Sequence, residues 1–321
     1  MKYYNIAVTG ASSHLGGLLL QRLHQTHACS NILALDSRDG ALANSLDGVE
    51  YVKASVLNKN IHQLFKKHNI QAVAHLDTVM VPPSTREEIA KAKTLDIEGT
   101  KNMLECCLKA RVKHIVIGSS AGAYGYHFKG SDAIKENQPL RGHPSIAHAS
   151  HKATIELLLN ESRKKYPQLT QTIFRMATIL GDGINSPITE FLKDEKLIGL
   201  MGEDTNFSFI WDEDVVEAFK IALFEGKPGI FNLSGEGMIA MSDISSSLKK
   251  PVQFMPKSVI SLGIKLGKMF GLTYHNPDFI DYLYGQPVLE TSKLKDHFGF
   301  APQKSSIQAF TDWAQREGLL D

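Results

Sequence analysis

Apolar and polar residues alternate with two different periods along the first half of the chain. Short β-branched runs predict buried strands at Ile6–Thr9, Ile32–Leu35, Tyr51–Lys53, Ala72–Leu76, His114–Ile117 and Thr172–Phe174. Between these runs, apolar residues recur at helical spacing in Leu15–Thr26, Ile61–His68 and Ile97–Ala110. Strands that alternate with amphipathic helices predict an α/β fold built on a doubly wound parallel sheet.

The pattern changes after Gly181, where shorter and mixed elements predict a second, smaller lobe. We expect residues 1–180 to form one domain, residues 207–232 to return to it, and residues 181–321 to form mostly the smaller lobe. Within that lobe, Ser258–Leu272 predicts an amphipathic helix that carries lysines. Such a helix can lie on a membrane surface, but a helix of a substrate-binding lobe is the favoured interpretation.

Composition narrows the class of partner. The 321 residues include 35 basic and 34 acidic side chains, so no global field attracts nucleic acid or an anionic membrane. We therefore expect a small-molecule ligand, no nucleic-acid partner and no membrane partner. Because Cys106 and Cys107 are adjacent, the 3 cysteines suit neither a disulfide framework nor a CxxC metal site. With neither a leader pattern nor an apolar run of membrane-spanning length, we expect a cytoplasmic protein.

A glycine turn follows the first predicted strand and opens the first predicted helix. It reads Thr9-Gly10-Ala11-Ser12-Ser13-His14-Leu15-Gly16. In this context, backbone amides and the helix N-terminus meet a pyrophosphate. We therefore predict that the turn binds a dinucleotide through Gly10, Ser12, Ser13, His14, Leu15 and Gly16. The alternative is a strand-turn-helix corner that binds no ligand.

The end of the second predicted strand favours NAD over NADP. Asp36 lies about 20 residues beyond Gly16, where a carboxylate accepts hydrogen bonds from the adenosine ribose hydroxyls. Its charge would repel the 2′-phosphate of NADP. Arg38 leaves NADP open, because a guanidinium there can either stack on adenine or hold that phosphate.

With these residues in place, the chain resembles the extended short-chain dehydrogenase/reductases, the NAD-dependent epimerase/dehydratase family. This resemblance implies a Rossmann-type domain with a smaller C-terminal substrate lobe. Thr9, Gly10 and Gly16 match the family's opening, but Ser13 replaces its middle glycine. Asp96-Ile97-Glu98-Gly99-Thr100 is similar to a family helix that begins with asparagine.

The resemblance also implies further cofactor contacts. Ser55 and Val56 occupy the place where the family has an aspartate and an apolar residue against adenine. Leu76 and Asp77 lie in the segment that is His-Leu-Ala-Ala in the family, so Asp77 brings a carboxylate close to the dinucleotide. Ile117–Gly125 is similar to the Ser-Ser-x-x-Val-Tyr-Gly segment and puts Ser120 at the catalytic serine. Without the resemblance, a serine there would be read as a turn or helix cap.

The family's catalytic tyrosine is replaced. The resemblance puts a tyrosine and a lysine four residues apart on one helix face, and here these positions are His148 and Lys152. The distal imidazole nitrogen stops roughly 2 Å short of a tyrosine oxygen. The lysine also favours the neutral ring, so we expect His148 to be a poor acid but an available base. Tyr126 is a weaker substitute, whereas Tyr124 belongs to the serine turn.

A metal site is the less favoured interpretation of His143, His148 and His151. Lys152 would repel a cation, and no carboxylate completes the set before Glu156. A polar helix start after Pro144 explains these histidines without a ligand.

Two functional hypotheses follow. In the first, the chain is an NAD(P)-dependent oxidoreductase or epimerase-like enzyme that uses Ser120, His148 and Lys152 on a small polar substrate, such as a sugar-nucleotide. In the second, it binds the dinucleotide but has lost catalysis, and acts as a sensor or assembly protein. No arginine occurs between Arg175 and Arg316, which argues against bidentate recognition of a diphosphate. The resemblance further implies a homodimer through Gly99–Ala110 and His148–Tyr166.

Overall fold

The computed structural model describes residues 4–38, 46–78, 85–128, 132–270 and 279–320. The chain divides into two compact units. The first unit contains Met1–Ser119, His151–Arg175 and Asp212–Phe231, and the second contains Ser120–Ser150, Met176–Trp211 and Asn232–Asp321. This division groups residues 120–150 with the second unit, whereas the predicted first domain ran from 1 to 180.

Strands and helices follow one another along the whole described chain. The strands are β1 (Tyr4–Thr9), β2 (Cys29–Asp36), β3 (Val49–Lys53), β4 (Ala72–His75), β5 (His114–Ser120), β6 (Thr170–Met176), β7 (Thr178–Leu180), β8 (Leu197–Leu200), β9 (Asn206–Phe207), β10 (Phe209–Trp211), β11 (Gly229–Leu233), β12 (Ile239–Ala240) and β13 (Val252–Met255). The helices are α1 (His14–Gln25), α2 (Ile61–Lys67), α3 (Arg86–Lys93), α4 (Gly99–Ala110), α5 (Ala147–Lys165), α6 (Pro187–Lys193), α7 (Asp212–Glu225), α8 (Met241–Leu248), α9 (Lys257–Met269), α10 (Phe279–Tyr284) and α11 (Ser306–Arg316). The predicted end of the α9 helix, at Leu272, lies outside the described residues.

A 7-stranded sheet has the order β11-β6-β5-β4-β1-β2-β3. β1 pairs in parallel with both β2 and β4, so the strand order reverses at β1. The predicted doubly wound α/β fold is confirmed. In such sheets, ligands bind beyond the carboxyl ends of the strands at the reversal point. Here these ends lead into Gly10, after β1, and Leu76, after β4.

A series of buried hydrogen bonds joins two strands of the sheet to a helix that packs on it. His75 Nδ1 lies 2.7 Å from Thr9 Oγ1, and His75 Nε2 lies 3.1 Å from Thr100 Oγ1. Thr100 donates its hydroxyl proton to the Asp96 carbonyl at 2.7 Å, so it accepts from His75 Nε2. Burial, aided by the charge of Lys152, lowers the pKa of His75 to about 3. The neutral ring therefore ties β1, β4 and α4 together.

The second unit is built from small sheets around an aromatic core. β7 pairs in parallel with β10, β8 in parallel with β13, and β9 antiparallel with β12. Phe209 stacks between Phe207 and Phe310, with ring centroids 6.0 and 6.2 Å away. Across the described residues of both units, no helix is both long and apolar enough to cross a membrane.

Candidate functional site

The predicted phosphate-binding turn joins β1 to α1. Gly10 has φ +72°, and a Cβ atom there would lie 2.7 Å from the backbone nitrogen of Asp77. A Cβ atom on Gly16 would lie 2.1 Å from the Gly10 carbonyl oxygen. Both contacts are closer than non-bonded atoms allow, so the turn requires glycine at these two positions.

Ser13 closes the turn that it occupies in place of a glycine. Its hydroxyl donates to the Gly10 carbonyl at 2.6 Å and accepts from Gly16 N–H at 3.0 Å. It is thus the N-cap of α1. His14 is the first residue of α1, and its Nε2 lies 2.6 Å from the Asp212 carboxylate at the start of α7. Leu15 is half-buried one residue further on.

Asp36 ends β2 and is 4% exposed. Its carboxylate accepts from Ser12 N–H at 2.9 Å, from Arg38 N–H at 2.9 Å and from the Arg38 guanidinium at 3.0 and 3.1 Å. Burial alone would raise the pKa of Asp36, but the hydrogen bonds from Arg38 and Ser12 outweigh it and lower the pKa. The carboxylate is therefore ionised and faces the glycine turn.

Three predicted contacts lie close to the turn or to the chain after β3. Ser55 accepts from Leu57 N–H at 3.2 Å. Val56 is 2% exposed, and its side chain covers Gly99 of α4, where a Cβ would lie 2.7 Å from Val56 Cγ2. Leu76 donates its N–H to the Thr9 carbonyl at 3.2 Å. Their contacts with adenine or ribose stay predictions.

Asp77 brings a carboxyl group beside the glycine turn. It follows β4 and lies against Gly10. Burial raises the pKa of Asp77 to about 6, and the neighbouring Asp36 and Asp96 add to the shift, while Arg38 and Lys152 oppose it. Asp77 therefore exchanges a proton near neutral pH.

Lys152 extends from α5 to the end of β5. Its ammonium is buried and donates to the Gly118 carbonyl at 2.7 Å. Burial lowers the pKa of Lys152, although the carboxylates of Asp96, Glu156 and Asp77 counteract it. A lysine at this position can donate hydrogen bonds to a polar ligand, and its positive charge acts on nearby ionisable groups.

Sequence reasoning missed the partner of His151. His151 Nδ1 lies 2.8 Å from the Asp96 carboxylate, and both residues are buried. Thr78 donates to the other carboxylate oxygen at 3.0 Å. The available signal was at position 96, where the family helix begins with asparagine and this chain has the ionisable Asp96.

A second buried pair fixes the middle of α5. Arg175, on β6, donates to both Glu156 oxygens at 2.7 to 3.0 Å. Ser119 donates to Glu156 at 2.5 Å. This network holds α5 against β5 and β6, and with it the register of Lys152.

Ser120 and His148 belong to the second unit, whereas Lys152 belongs to the first. Ser120 ends β5 and accepts from Gly122 N–H at 3.1 Å, so it caps the 3₁₀ turn Ala121–Tyr124. His148 is half-buried in the first turn of α5. The periodicity of one helix puts His148 and Lys152 on the same face, as predicted. The catalytic roles of these three residues remain predictions.

The two tyrosines after Ser120 differ. Tyr124 donates its hydroxyl to Asn232 at 2.7 Å in the buried interior of the second unit. The Tyr126 hydroxyl lies beside Gly122, 2.5 Å from where a Cβ would be, and Ser120 Oγ lies 3.4 Å from the same point. Burial and the neighbouring Tyr282 raise the pKa of Tyr126 well above 10, so its phenol stays protonated.

The histidines near α5 face carboxylates. His143 Nε2 lies 3.6 Å from Asp281, and His151 is held by Asp96. Throughout the described ranges, no three or more His, Cys, Asp or Glu side chains are arranged to hold a metal ion.

Comparison with known proteins extends over almost the whole chain. An uncharacterized protein of Mycobacterium tuberculosis is 24% identical over 98% of this chain and 84% of its own length. The dTDP-4-dehydro-6-deoxyglucose reductase of Escherichia coli is 23% identical over 85% of each chain. A crystal structure of UDP-glucose 4-epimerase from Thermotoga maritima, with UDP-glucose, has TM-score 0.72 at 17% identity and covers 98% of this chain and 99% of that one.

The model of the NAD dependent epimerase/dehydratase family matches residues 6–234. This range runs from β1 to the end of β11 and includes every predicted site residue. The resemblance noted in the sequence is confirmed: the chain belongs to the NAD dependent epimerase/dehydratase family.

Proposed function

We propose that this protein binds NAD along the carboxyl edge of the seven-stranded sheet and exchanges hydride with a sugar-nucleotide or a similar small polar substrate. The observation that carries the proposal is the buried Lys152, held on the Gly118 carbonyl among Asp96, Asp77 and Glu156. Buried titratable groups whose pKa is perturbed by burial and by specific charged neighbours cluster at functional sites.

The glycine turn fits a dinucleotide. Gly10 and Gly16 allow the backbone to close tightly, and Ser13 caps α1 with its hydroxyl directed into the turn rather than away from it. The N-terminus of α1 is then a site for phosphate oxygens. Ser13 therefore replaces the family's glycine without disrupting the turn.

Asp36 fits NAD better than NADP. Arg38 is engaged with the carboxylate through its guanidinium, so binding a 2′-phosphate would require it to leave Asp36 and expose the phosphate to an ionised carboxylate. Ribose hydroxyls, in contrast, donate to a carboxylate. This supports NAD as the cofactor.

Asp77 is the one residue that fits poorly. Beside Gly10 it brings a carboxylate towards the predicted phosphate site, where like charges repel. A pKa of about 6 lets Asp77 take up a proton and become neutral. We infer that the dinucleotide binds best to the form in which Asp77 is protonated.

When bound, NAD would supply the acceptor for a hydride. Ser120 would hold the substrate hydroxyl, and His148 would accept its proton as the alcohol is oxidised to a carbonyl. Lys152, one helical turn from His148, favours the neutral imidazole that this step needs. The assignment favours oxidation, or an epimerisation that starts with oxidation, over a direct reduction that begins with proton donation.

The substrate is expected to be polar and sugar-like. The relatives named above include a dTDP-sugar reductase and a UDP-glucose epimerase. Because the sequence from 176 to 315 contains no arginine, lysines and backbone amides would have to hold a diphosphate.

Turnover of bound NAD tests the proposal. We expect NADH to accumulate on the native chain when UDP-glucose, dTDP-glucose or a free hexose is added, and His148→Ala to lower that rate at least a hundredfold. Lys152→Met should weaken both NAD binding and turnover, whereas Glu105→Gln, a surface change on α4, should alter neither.

If NAD binds but no nicotinamide is reduced with any sugar, and His148→Tyr restores reduction, the chain is a dinucleotide-binding sensor or assembly protein. If neither NAD nor NADP binds, both functions are wrong.

A further inference from the structure

Helix α9 has apolar residues on two opposite sides. Ile260 is 7% exposed and packs with Ile264 against the core of the second unit. On the other side, the side chains reach solvent: Val259 is 50% exposed, Leu262 57%, Leu266 43% and Met269 68%. The core of the second unit covers one side of the helix, whereas the apolar residues on the other side are exposed to solvent.

The exposed residues form one continuous stripe. They recur every three or four positions, which is the spacing of one face of an α-helix. Phe270, 70% exposed, follows the last helical residue and prolongs the stripe. We call Val259, Leu262, Leu266, Met269 and Phe270 the α9 face. Contiguous apolar patches of this kind on a globular protein usually mark an interaction surface.

The charged side chains that α9 itself carries all have one sign. Residues 257–270 contain Lys257, Lys265 and Lys268 and no acidic residue. Lys257 is paired with Asp281 at 2.5 Å, and Lys265 and Lys268 are exposed along one flank of the stripe. Because basic and acidic residues are nearly equal in number over the whole chain, the net charge does not reveal this local excess of positive charge.

The charge decides between two occupants of the α9 face. A second copy of the chain, pairing the same face, would bring lysines against lysines. An anionic lipid surface has the opposite charge, takes apolar side chains among its acyl chains, and lets lysines reach its headgroups. We propose that the α9 face docks on an anionic lipid surface, with Lys265 and Lys268 at the level of the headgroups.

This docking is independent of the proposed enzymatic function, and it revises the expectation of no membrane partner. That expectation rested on the net charge of the whole chain and on the interpretation of Ser258–Leu272 as a helix of the substrate-binding lobe.

Sedimentation with lipid vesicles tests the docking. We expect the native full-length chain to bind vesicles of phosphatidylcholine and phosphatidylglycerol, to bind phosphatidylcholine alone far more weakly, and to dissociate as salt is raised. Replacing Leu262 and Leu266 by serine should lower the partition coefficient at least tenfold. Lys265→Gln and Lys268→Gln should each lower it about fivefold.

Ile307→Ser is the matched control. Ile307 is 53% exposed on α11 of the same unit, so its replacement removes comparable surface outside the α9 face and should leave binding unchanged. The proposal is overturned if the native chain does not bind the anionic vesicles, if it binds neutral vesicles equally well, or if Ile307→Ser reduces binding as much as the leucine changes. It is also overturned if the chain forms a dimer that the leucine changes dissociate, because a second copy then covers the face.

Discussion

The first unit contains a deeply buried ion pair, whereas the second unit contains an exposed ion pair and a helix with an exposed apolar face. Glu156 and Arg175 are both 3% exposed and joined by several hydrogen bonds. In the second unit, Arg316 and Asp182 form a pair whose side chains are 51% and 68% exposed. A buried charge is stable only with a well-placed partner, so the buried pair fixes α5 against β6. Water and salt screen an exposed pair, so the Arg316–Asp182 pair adds little to stability.

The largest expected effect comes from breaking the buried pair. Glu156→Gln keeps the shape of the side chain but leaves the Arg175 charge buried without a carboxylate, which should lower the free energy of unfolding by about 3–5 kcal/mol. Urea unfolding followed by circular dichroism measures the change.

The exposed pair supplies the control for this change. Asp182→Asn should cost less than about 0.5 kcal/mol, because water and salt screen exposed charges. Equal losses in the two variants would show that burial does not distinguish the two units.

The next effect concerns the glycine turn. Gly16→Ala puts a Cβ 2.1 Å from the Gly10 carbonyl, so the backbone must shift, at a cost of about 3 kcal/mol of unfolding free energy and loss of NADH binding. Gly17→Ala is the control, because no atom lies within 4 Å of a Cβ there. As Gly17 lies within α1, alanine should leave NADH binding intact and stabilise the helix by about 0.5–1 kcal/mol. Thermal melts measure the stability of the two variants, and NADH fluorescence titration measures their binding. Equal effects of the two substitutions would contradict the requirement for glycine at position 16.

This contrast also explains what the sequence could predict. The strands of the sheet, the glycine turn and Asp36 are local patterns, and each lies where its period and spacing indicated. Observed β1 begins two residues before the predicted strand, and β5 runs on to Ser120, because tertiary pairing extends strands beyond their most apolar residues.

The pairs in the first unit could not be predicted from local pattern. Asp96 and His151 are separated by 55 positions, and Glu156 meets Arg175 only because α5 packs on β6. The small strand pairs of the second unit carry too few residues for a period to be recognised. The exposure of the α9 face depends on which side of the helix the core covers, and the sequence pattern of one helix does not contain that information.

A smaller effect is expected from pH. Burial raises the pKa of Asp77 to about 6, above the value of about 3.9 in an unfolded chain. Protonation of Asp77 therefore stabilises the fold fully below about pH 3.9, and this stabilisation is lost as pH rises through about 6. The charged carboxylate also repels phosphate, so NADH binding should weaken about tenfold between about pH 5 and about pH 7.5.

Asp77→Asn separates this effect from the histidines. The asparagine variant should bind NADH at the higher pH about as tightly as the native chain does at the lower one. If both proteins show the same pH dependence in titration calorimetry, a histidine rather than Asp77 takes up the proton.

The smallest effect is expected at Arg38. Its side chain is 61% exposed, and removing it frees Asp36 oxygens for the ribose but also removes the guanidinium that can stack on adenine. Arg38→Ala should therefore change NADH affinity by less than about threefold. A native preference for NADPH that Arg38→Ala abolishes would show instead that the guanidinium holds a 2′-phosphate.

We infer that the first unit holds NAD through the ionised, buried carboxylate of Asp36. Titration calorimetry of NADH into the native chain and into Asp36→Ala measures the contribution of this carboxylate. We expect one dinucleotide bound per native chain and an affinity at least tenfold lower in the variant. Equal affinity in the two proteins, or no binding to the native chain, would contradict it.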